Sequence, residues 1–168
     1  MNDRLSPDFF LRDVLEVAPE LIGKLLVRRH EDGRVERYKI TETEAYRGTE
    51  DLACHASKGR TPRSEVMFQE GGKVYVYLIY GQYWLLNLVT GFEGDASAVL
   101  IRGIEGFPGP GRVGRILQLD RSFYGESLID STRLWVEDGE LVPEIRTSKR
   151  IGIDYAGEWA YKLWRFYI

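Results

Sequence analysis

The chain carries little from which metal or redox chemistry could be built. Cys54 is its one cysteine, and His30 and His55 are its two histidines in 168 residues. An internal disulfide needs a second thiol, and a tetrahedral Cys/His zinc site needs more ligands than this set supplies. A lone cysteine also fits a reducing compartment. No apolar run reaches the roughly 18 residues that would span a bilayer. The opening MNDRLSPDFFLRDVL lacks a basic flank followed by an apolar stretch, so no secretory signal is expected. There is no P-loop and no dinucleotide fingerprint. Positive charge is not in excess either. Lys and Arg total 23 against 26 Asp and Glu, a net charge of −3, which excludes indiscriminate nucleic-acid binding by bulk charge but not a local basic face.

What is present is ordinary for a globular protein: 43% hydrophobic and 29% charged residues, enough chain for a real core. No repeat, low-complexity tract or linker interrupts it, so one domain over residues 1–168 is expected. Ser6-Pro7 reads as a helix start, with Phe9, Phe10, Val14 and Leu15 as its apolar stripe. Pro19 reads as the opening of a second short helix through Leu25. Two strands are expected between Leu26 and Tyr46, joined at Glu31-Asp32-Gly33. Strict alternation would put Tyr38, Ile40, Glu42, Glu44 and Tyr46 on one face. Residues 47–72 read as loop with a helical turn near Ser64–Phe68. Lys73–Tyr80 and Trp84–Thr90 form a second hairpin across Gly81-Gln82, and Ala96–Gly103 a further strand. Gly109-Pro110-Gly111 opens a helix to about Leu119, and short strands are expected near Leu134–Val136 and Thr147–Ile151. Mixed elements joined by hairpins imply the α+β class, with a largely antiparallel sheet.

The chemistry concentrates between Thr41 and Asn87. Glu44 shares a strand face with Tyr46, and a carboxylate among aromatics is desolvated and becomes a stronger base when ionised. Read blandly, it is a solvated strand-end glutamate. Tyr46, Tyr77 and His55 could line a slot for a planar, electron-poor ring. Equally, Tyr75 and Tyr77 could simply pack a sheet face. Tyr80 lies at a hairpin tip, poorly placed for a core and well placed to wedge between bases. Three basic runs, Lys58/Arg60/Arg63, Arg112/Arg115 and Arg146/Lys149/Arg150, suggest an uneven surface charge. The helix start after Gly109 could hold a phosphate. Three functions stay open on the residues alone: a base-removing enzyme, a non-catalytic nucleic-acid-binding module, and a small-molecule glycosidase using Glu42 as acid partner.

Taken together these residues resemble the alkyladenine (3-methyladenine, or methylpurine) DNA glycosylase family of mammalian type. The resemblance rests on Glu42-Thr43-Glu44-Ala45-Tyr46, His55-Ala56, Gly59-Arg60-Thr61-Pro62-Arg63, Met67-Phe68, Val74 through Gly81, and Asn87. It continues through Val99-Leu100-Ile101-Arg102, Gly109-Pro110-Gly111, Arg150-Ile151-Gly152, Gly157-Glu158-Trp159-Ala160 and Arg165-Phe166-Tyr167. Most of the chain is covered in family order. Ser64, Gly103 and Gly106 depart from the usual pattern and touch substrate range and groove contacts.

The resemblance implies a curved, largely antiparallel sheet flanked by helices, similar to the C-terminal domain of methionyl-tRNA formyltransferase. It implies a monofunctional enzyme of base excision repair that flips an alkylated or deaminated purine from duplex DNA. The class includes 3-methyladenine, 7-methylguanine, hypoxanthine and ethenoadenine, and the product is an abasic site. Glu44 would be the general base, with Arg102 and the backbone at Ile151 positioning the water. Tyr46, Tyr77 and His55 would hold the base, Asn87 would reject the guanine amino group, and Tyr80 would fill the vacated stack. Lys58, Arg60, Arg63, Gln82, Tyr83 and Arg112 would contact DNA. No cofactor or metal is expected, and the partner is damaged double-stranded DNA, met by a monomer. The location would be cytoplasmic and nucleoid-associated in a prokaryote, or nuclear in a eukaryote.

Overall fold

A proline at the first helical position starts α1 (Pro7–Phe10), but the computed structural model, which describes residues 3–168, ends that helix after one turn. Ser6 makes no side-chain cap. Instead Asp13 caps α2 (Val14–Leu21), its carboxylate accepting from the Leu15 N–H at 2.9 Å. The expected single stripe therefore divides between two helices. Pro19 lies inside α2 rather than opening a helix, and α2 closes two residues later. No helix among the described residues is long and apolar enough to cross a membrane.

The Asp-Gly signal at 32–33 joins β1 (Leu25–Arg29) to β2 (Val35–Arg47) as expected. The second hairpin joins β3 (Val74–Ile79) to β4 (Tyr83–Thr90), and β5 (Ser97–Ile104) follows. After β6 (Phe107–Pro108) come α3 (Pro110–Ile116), β7 (Leu134–Glu137), β8 (Arg146–Ser148) and β9 (Arg165–Tyr167). The main path of the sheet runs β3-β4-β5-β2-β1-β7. Off it, β6 pairs with β5, and β9 pairs with β2 and β8. Every pairing is antiparallel, and the sheet curls. The fold is α+β.

Alternation assigns each strand residue to one of two faces. One face packs α2 and α3 through Val17, Leu21, Val113 and Leu117 onto Val76, Leu88, Val99 and Ile101. The α3 approach is close: a Cβ on Gly114 would stand 1.9 Å from the Trp84 carbonyl oxygen, so only glycine fits there. The opposite face carries Tyr75, Val89 and Ala98, covered by the loop residues Cys54, Ala56, Met67 and Phe68. Residues 48–72 are loop carrying two short 3-10 turns, His55–Lys58 and Glu65–Phe68.

Alternation along β2 breaks once. The register against β5 shifts on both sides of Glu42, a β-bulge. Ile40 and Ala45 both join the main core, five positions apart, which uninterrupted alternation forbids. Tyr38 and Ile40 therefore do not share a face with Glu44 and Tyr46, contrary to the expected stripe of five.

Candidate active site

The sheet register brings the site together. Tyr75 on β3 stands opposite Asn87 on β4, Asn87 opposite Leu100 on β5, and Leu100 opposite Glu44 on β2. This one row crosses four strands. Tyr46, Tyr77 and Arg102 sit two residues along their strands on the same face, so backbone pairing alone delivers the cluster.

Glu44 is fully buried, with 0% of its surface exposed. Its Oε1 accepts from the Tyr46 hydroxyl at 2.7 Å, and its Oε2 accepts from the Ile151 N–H at 2.7 Å. The Arg102 Nη1 lies 3.6 Å from Oε1, while Arg102 Nε lies 3.3 Å from Glu42, which also pairs with Arg165. Burial pushes the Glu44 carboxyl above its usual range, against the pull of Arg102, the Tyr46 hydroxyl, the Ile151 N–H and Arg150. Burial, and then the Glu44 charge, hold the Tyr46 phenol well above its ordinary value, so it stays a proton donor to the carboxylate.

Ile151 was expected at the end of a strand. The strand stops at Ser148, which leaves the Ile151 N–H out of any ladder and aimed at Glu44.

Beside Glu44, and separated from it by its partners Tyr46, Arg102 and Ile151, lies a pocket of about 320 Å³, within the range for small-ligand sites. Tyr46, His55, Tyr77, Asn87, Arg102 and Ile151 all line it, and Tyr80 stands at its rim. Met67, Tyr75, Leu85 and Leu100 add apolar wall. Tyr77 meets His55 edgewise at 4.6 Å between ring centroids, and Tyr46 is backed by Arg150 at 4.9 Å. Asn87 is buried and donates from its Nδ2 to the Tyr75 carbonyl at 3.2 Å. That bond fixes which end of the amide is the donor.

His55 Nδ1 lies 2.7 Å from the Tyr75 hydroxyl. Burial pulls the imidazole pKa down to about 4, helped by the Arg63 and Lys58 charges. It is therefore neutral at any working pH. We expect its ring resonances to stay flat between pH 8 and 5.5 in a two-dimensional NMR titration. A midpoint near the unperturbed 6.5 would contradict this burial. The sign for stability follows. Protons bind the unfolded chain more tightly, so His55 subtracts stability as pH falls below 6.5 and continues to do so until about 4.

Tyr80 sits in the β3–β4 turn, 86% exposed. Its φ is +51° and that of Gly81 is +66°, the paired positive values of a type I′ hairpin turn. Positive φ is strained for a bulky residue, and such strain collects at functional positions. Lys58 and Arg63 are exposed and line a second depression of about 300 Å³, which shares Ala53, His55 and Tyr155 with the first. Arg60 pairs with Glu65 at 3.5 Å and lies over Phe68. Gln82 and Arg112 are exposed, whereas Tyr83 is half covered by Gly111 and Arg115 of α3.

Two expectations change. Arg150, grouped with a basic surface run, is buried and paired with Asp51. The helix after Gly109 ends at Ile116, three residues before the expected Leu119. Sequence reading also missed Tyr155, which is 70% exposed at the wall between the two depressions. It missed Asp51 as well. An aromatic four residues beyond Ile151 was the one available signal for the first, and nothing local marked the second.

The methylpurine-DNA glycosylase family model matches residues 8–108 and 107–168. A protein of Methanocella arvoryzae is 47% identical over 97% of this chain and 91% of its own length. One of Myxococcus xanthus is 46% identical over 95% and 89%, and one of Legionella pneumophila 44% over 98% and 94%. All three carry the name "Putative 3-methyladenine DNA glycosylase".

Proposed function

Because this chain belongs to the methylpurine-DNA glycosylase family and is thus a glycosylase acting on N-glycosyl bonds in DNA, we propose that it excises alkylated or deaminated purines by water attack, with Glu44 as general base. The target base leaves the duplex stack, enters the pocket between Tyr46, Tyr77 and His55, and is cut from its sugar. Residues 1–168 act as one domain and one monomer on double-stranded DNA.

The observation that carries this reading is a carboxylate at 0% exposure, held against an aromatic pocket by Tyr46, Ile151 and Arg102. Each carboxylate oxygen has a lone pair left after its one hydrogen bond. A water there would pass its proton to Glu44, and the resulting oxygen nucleophile would attack the anomeric carbon. The Ile151 N–H is spent on Glu44, so the backbone at this residue would orient the water through its carbonyl. Bond breaking builds an oxocarbenium-like sugar, which the Glu44 charge stabilises. An alkylated purine leaves as a cation-derived neutral base and needs no acid. Neutral lesions such as hypoxanthine need a donor at N7, which a backbone N–H near His55 would supply.

Asn87, buried in the pocket wall and fixed there by its Nδ2 bond to the Tyr75 carbonyl, would exclude a guanine 2-amino group by its bulk. Lys58 and Arg63 would hold backbone phosphate beside the flipped nucleotide, with Arg60, Gln82, Tyr83 and Arg112 further along the duplex. The glycosidase reading with Glu42 as acid finds less support, since Glu42 is clamped between Arg102 and Arg165 and touches no lining residue of the pocket except Arg102.

The test is single-turnover excision from duplexes carrying 3-methyladenine, 7-methylguanine, hypoxanthine or 1,N6-ethenoadenine. Release of base from the duplex but not from free nucleosides supports the reading. DNA binding with every lesion left intact would end it.

Replacing Tyr80 by alanine should weaken lesion-duplex binding about tenfold or more, from the roughly 1–3 kcal/mol that base–aromatic stacking contributes. Excision of very labile lesions should persist in part. Ethenoadenine fluorescence reads the flipping equilibrium directly, and an unchanged equilibrium in that variant would remove Tyr80 from the wedge role.

A further inference from the structure

Asp51 and Arg150 form an ion pair whose side chains are both 0% exposed. Such a pair is weak support for stability, because desolvating two charges offsets their attraction and apolar residues of similar volume often serve as well. The Arg150 Nε is moreover buried with no hydrogen-bond partner among the described residues. The cost calls for another explanation, and the contacts supply one.

Arg150 Nη1 donates to Asp51 Oδ2 at 2.6 Å and to the Ala45 carbonyl at 2.9 Å. Its Nη2 donates to Asp51 Oδ1 at 3.0 Å and to the Trp159 carbonyl at 3.1 Å. The guanidinium lies 4.9 Å from the ring centroids of both Tyr46 and Trp164. Asp51 in turn accepts from the backbone N–H of Arg47 and of Ala53, each at 3.0 Å. The pair thus ties the end of β2, the loop leading to His55 and the segment before Trp164 to one point. The residue after Arg150 is Ile151, whose N–H holds Glu44, and the ring beside it is Tyr46, whose hydroxyl holds the other oxygen.

We propose that Asp51 and Arg150 are positioning residues for Glu44: the pair sets the Ile151 N–H, the Tyr46 ring and the His55 loop in one arrangement and keeps a cation beside the carboxylate. This rests on the reading of Glu44 as base. The charged and titratable groups facing Glu44 are Tyr46, Tyr77, Arg102 with Glu42 behind it, and Arg150. Arg150 is therefore the cation on the backbone side and Arg102 the one on the pocket side.

Two variants separate positioning from packing. Asp51→Asn is isosteric and leaves the Arg150 charge uncompensated. The double variant Asp51→Asn/Arg150→Met removes both charges, keeps the stem between Tyr46 and Trp164, and leaves no lone buried charge if the single variant fails to fold. We expect a folded double variant with lesion-duplex Kd within about threefold of wild type and single-turnover excision slowed tenfold or more. The acid limb of its pH–rate profile should move to higher pH, and that of Asp51→Asn to lower pH. Loss of rate with both limbs unmoved, or an unchanged rate in the double variant, would overturn the proposal. The Ile151 amide proton gives a readout independent of turnover. It should resonate far downfield in the wild type, as a donor to a carboxylate, and shift upfield in the double variant. An inactive wild type whose Ile151 resonance still shifts would refute the base assignment while sustaining the positioning role. An Ile151 resonance that stays put would refute the positioning role itself.

Discussion

Glu44→Gln should slow single-turnover excision from lesion-bearing duplex DNA by about a thousandfold or more. General base catalysis alone contributes about 10²–10⁴-fold, and the same carboxylate is asked to stabilise the cationic sugar. Glutamine fills the same volume. Its carbonyl keeps one of the two hydrogen bonds that Tyr46 and Ile151 now give to Glu44, and the Tyr46 hydroxyl can turn to accept from its amide. DNA affinity should therefore be preserved, so the loss falls on the chemical step rather than on binding. Stability should move the other way. Glu44 binds its proton more tightly folded than unfolded, so ionised Glu44 subtracts stability as pH rises from the unfolded carboxyl value through the raised folded one, and the deficit persists at neutral pH. The glutamine protein should melt at or above the wild-type temperature at pH 7. An active variant, or one that has lost activity only because it has unfolded, would contradict this account.

Asp51→Ala should be the most destabilising single change at the site, by about 3–5 kcal/mol, the usual result of leaving a buried charge without its partner. Arg150 would remain at 0% side-chain exposure beside a cavity, and the Arg47 and Ala53 N–H groups would lose their acceptor. Equilibrium urea unfolding reads this as a lower midpoint at unchanged slope. A midpoint close to wild type would mean that water or a neighbouring group compensates the arginine, and the pair would not tie the segments together.

Much of the fold was legible because it is local. Asp32-Gly33 and Gly81-Gln82 placed both hairpins, and β-alternation put Tyr75 and Tyr77 together on one face of β3, where they pack in the same cluster. Alternation failed on β2, where the bulge around Glu42 depends on the partner strand β5 and cannot be read from β2 alone. Pro19 misled because proline favours a first turn, whereas here it lies inside α2 at the expense of a backbone hydrogen bond, and the helix closes two residues later. The candidate site was legible as a set of residue types between Thr41 and Asn87, but its geometry was not. Tyr46 reaching Glu44 is a contact two residues apart, whereas Ile151 reaching Glu44 spans 107 positions and arises only because the chain leaves β8 after Ser148. Arg150 looked like surface charge because its partner Asp51 is 99 residues away.

The most direct test of the central claim is the pH dependence of single-turnover hypoxanthine excision from duplex DNA, measured for wild type and Glu44→Gln. A buried base that must be ionised predicts one acid limb, with its midpoint above the ordinary carboxylate value of 4.5 in the direction that burial drives it. That limb should be absent from the residual rate of the glutamine variant. A wild-type profile flat through the carboxylate range, or a limb that survives the substitution, would mean that Glu44 is not the base.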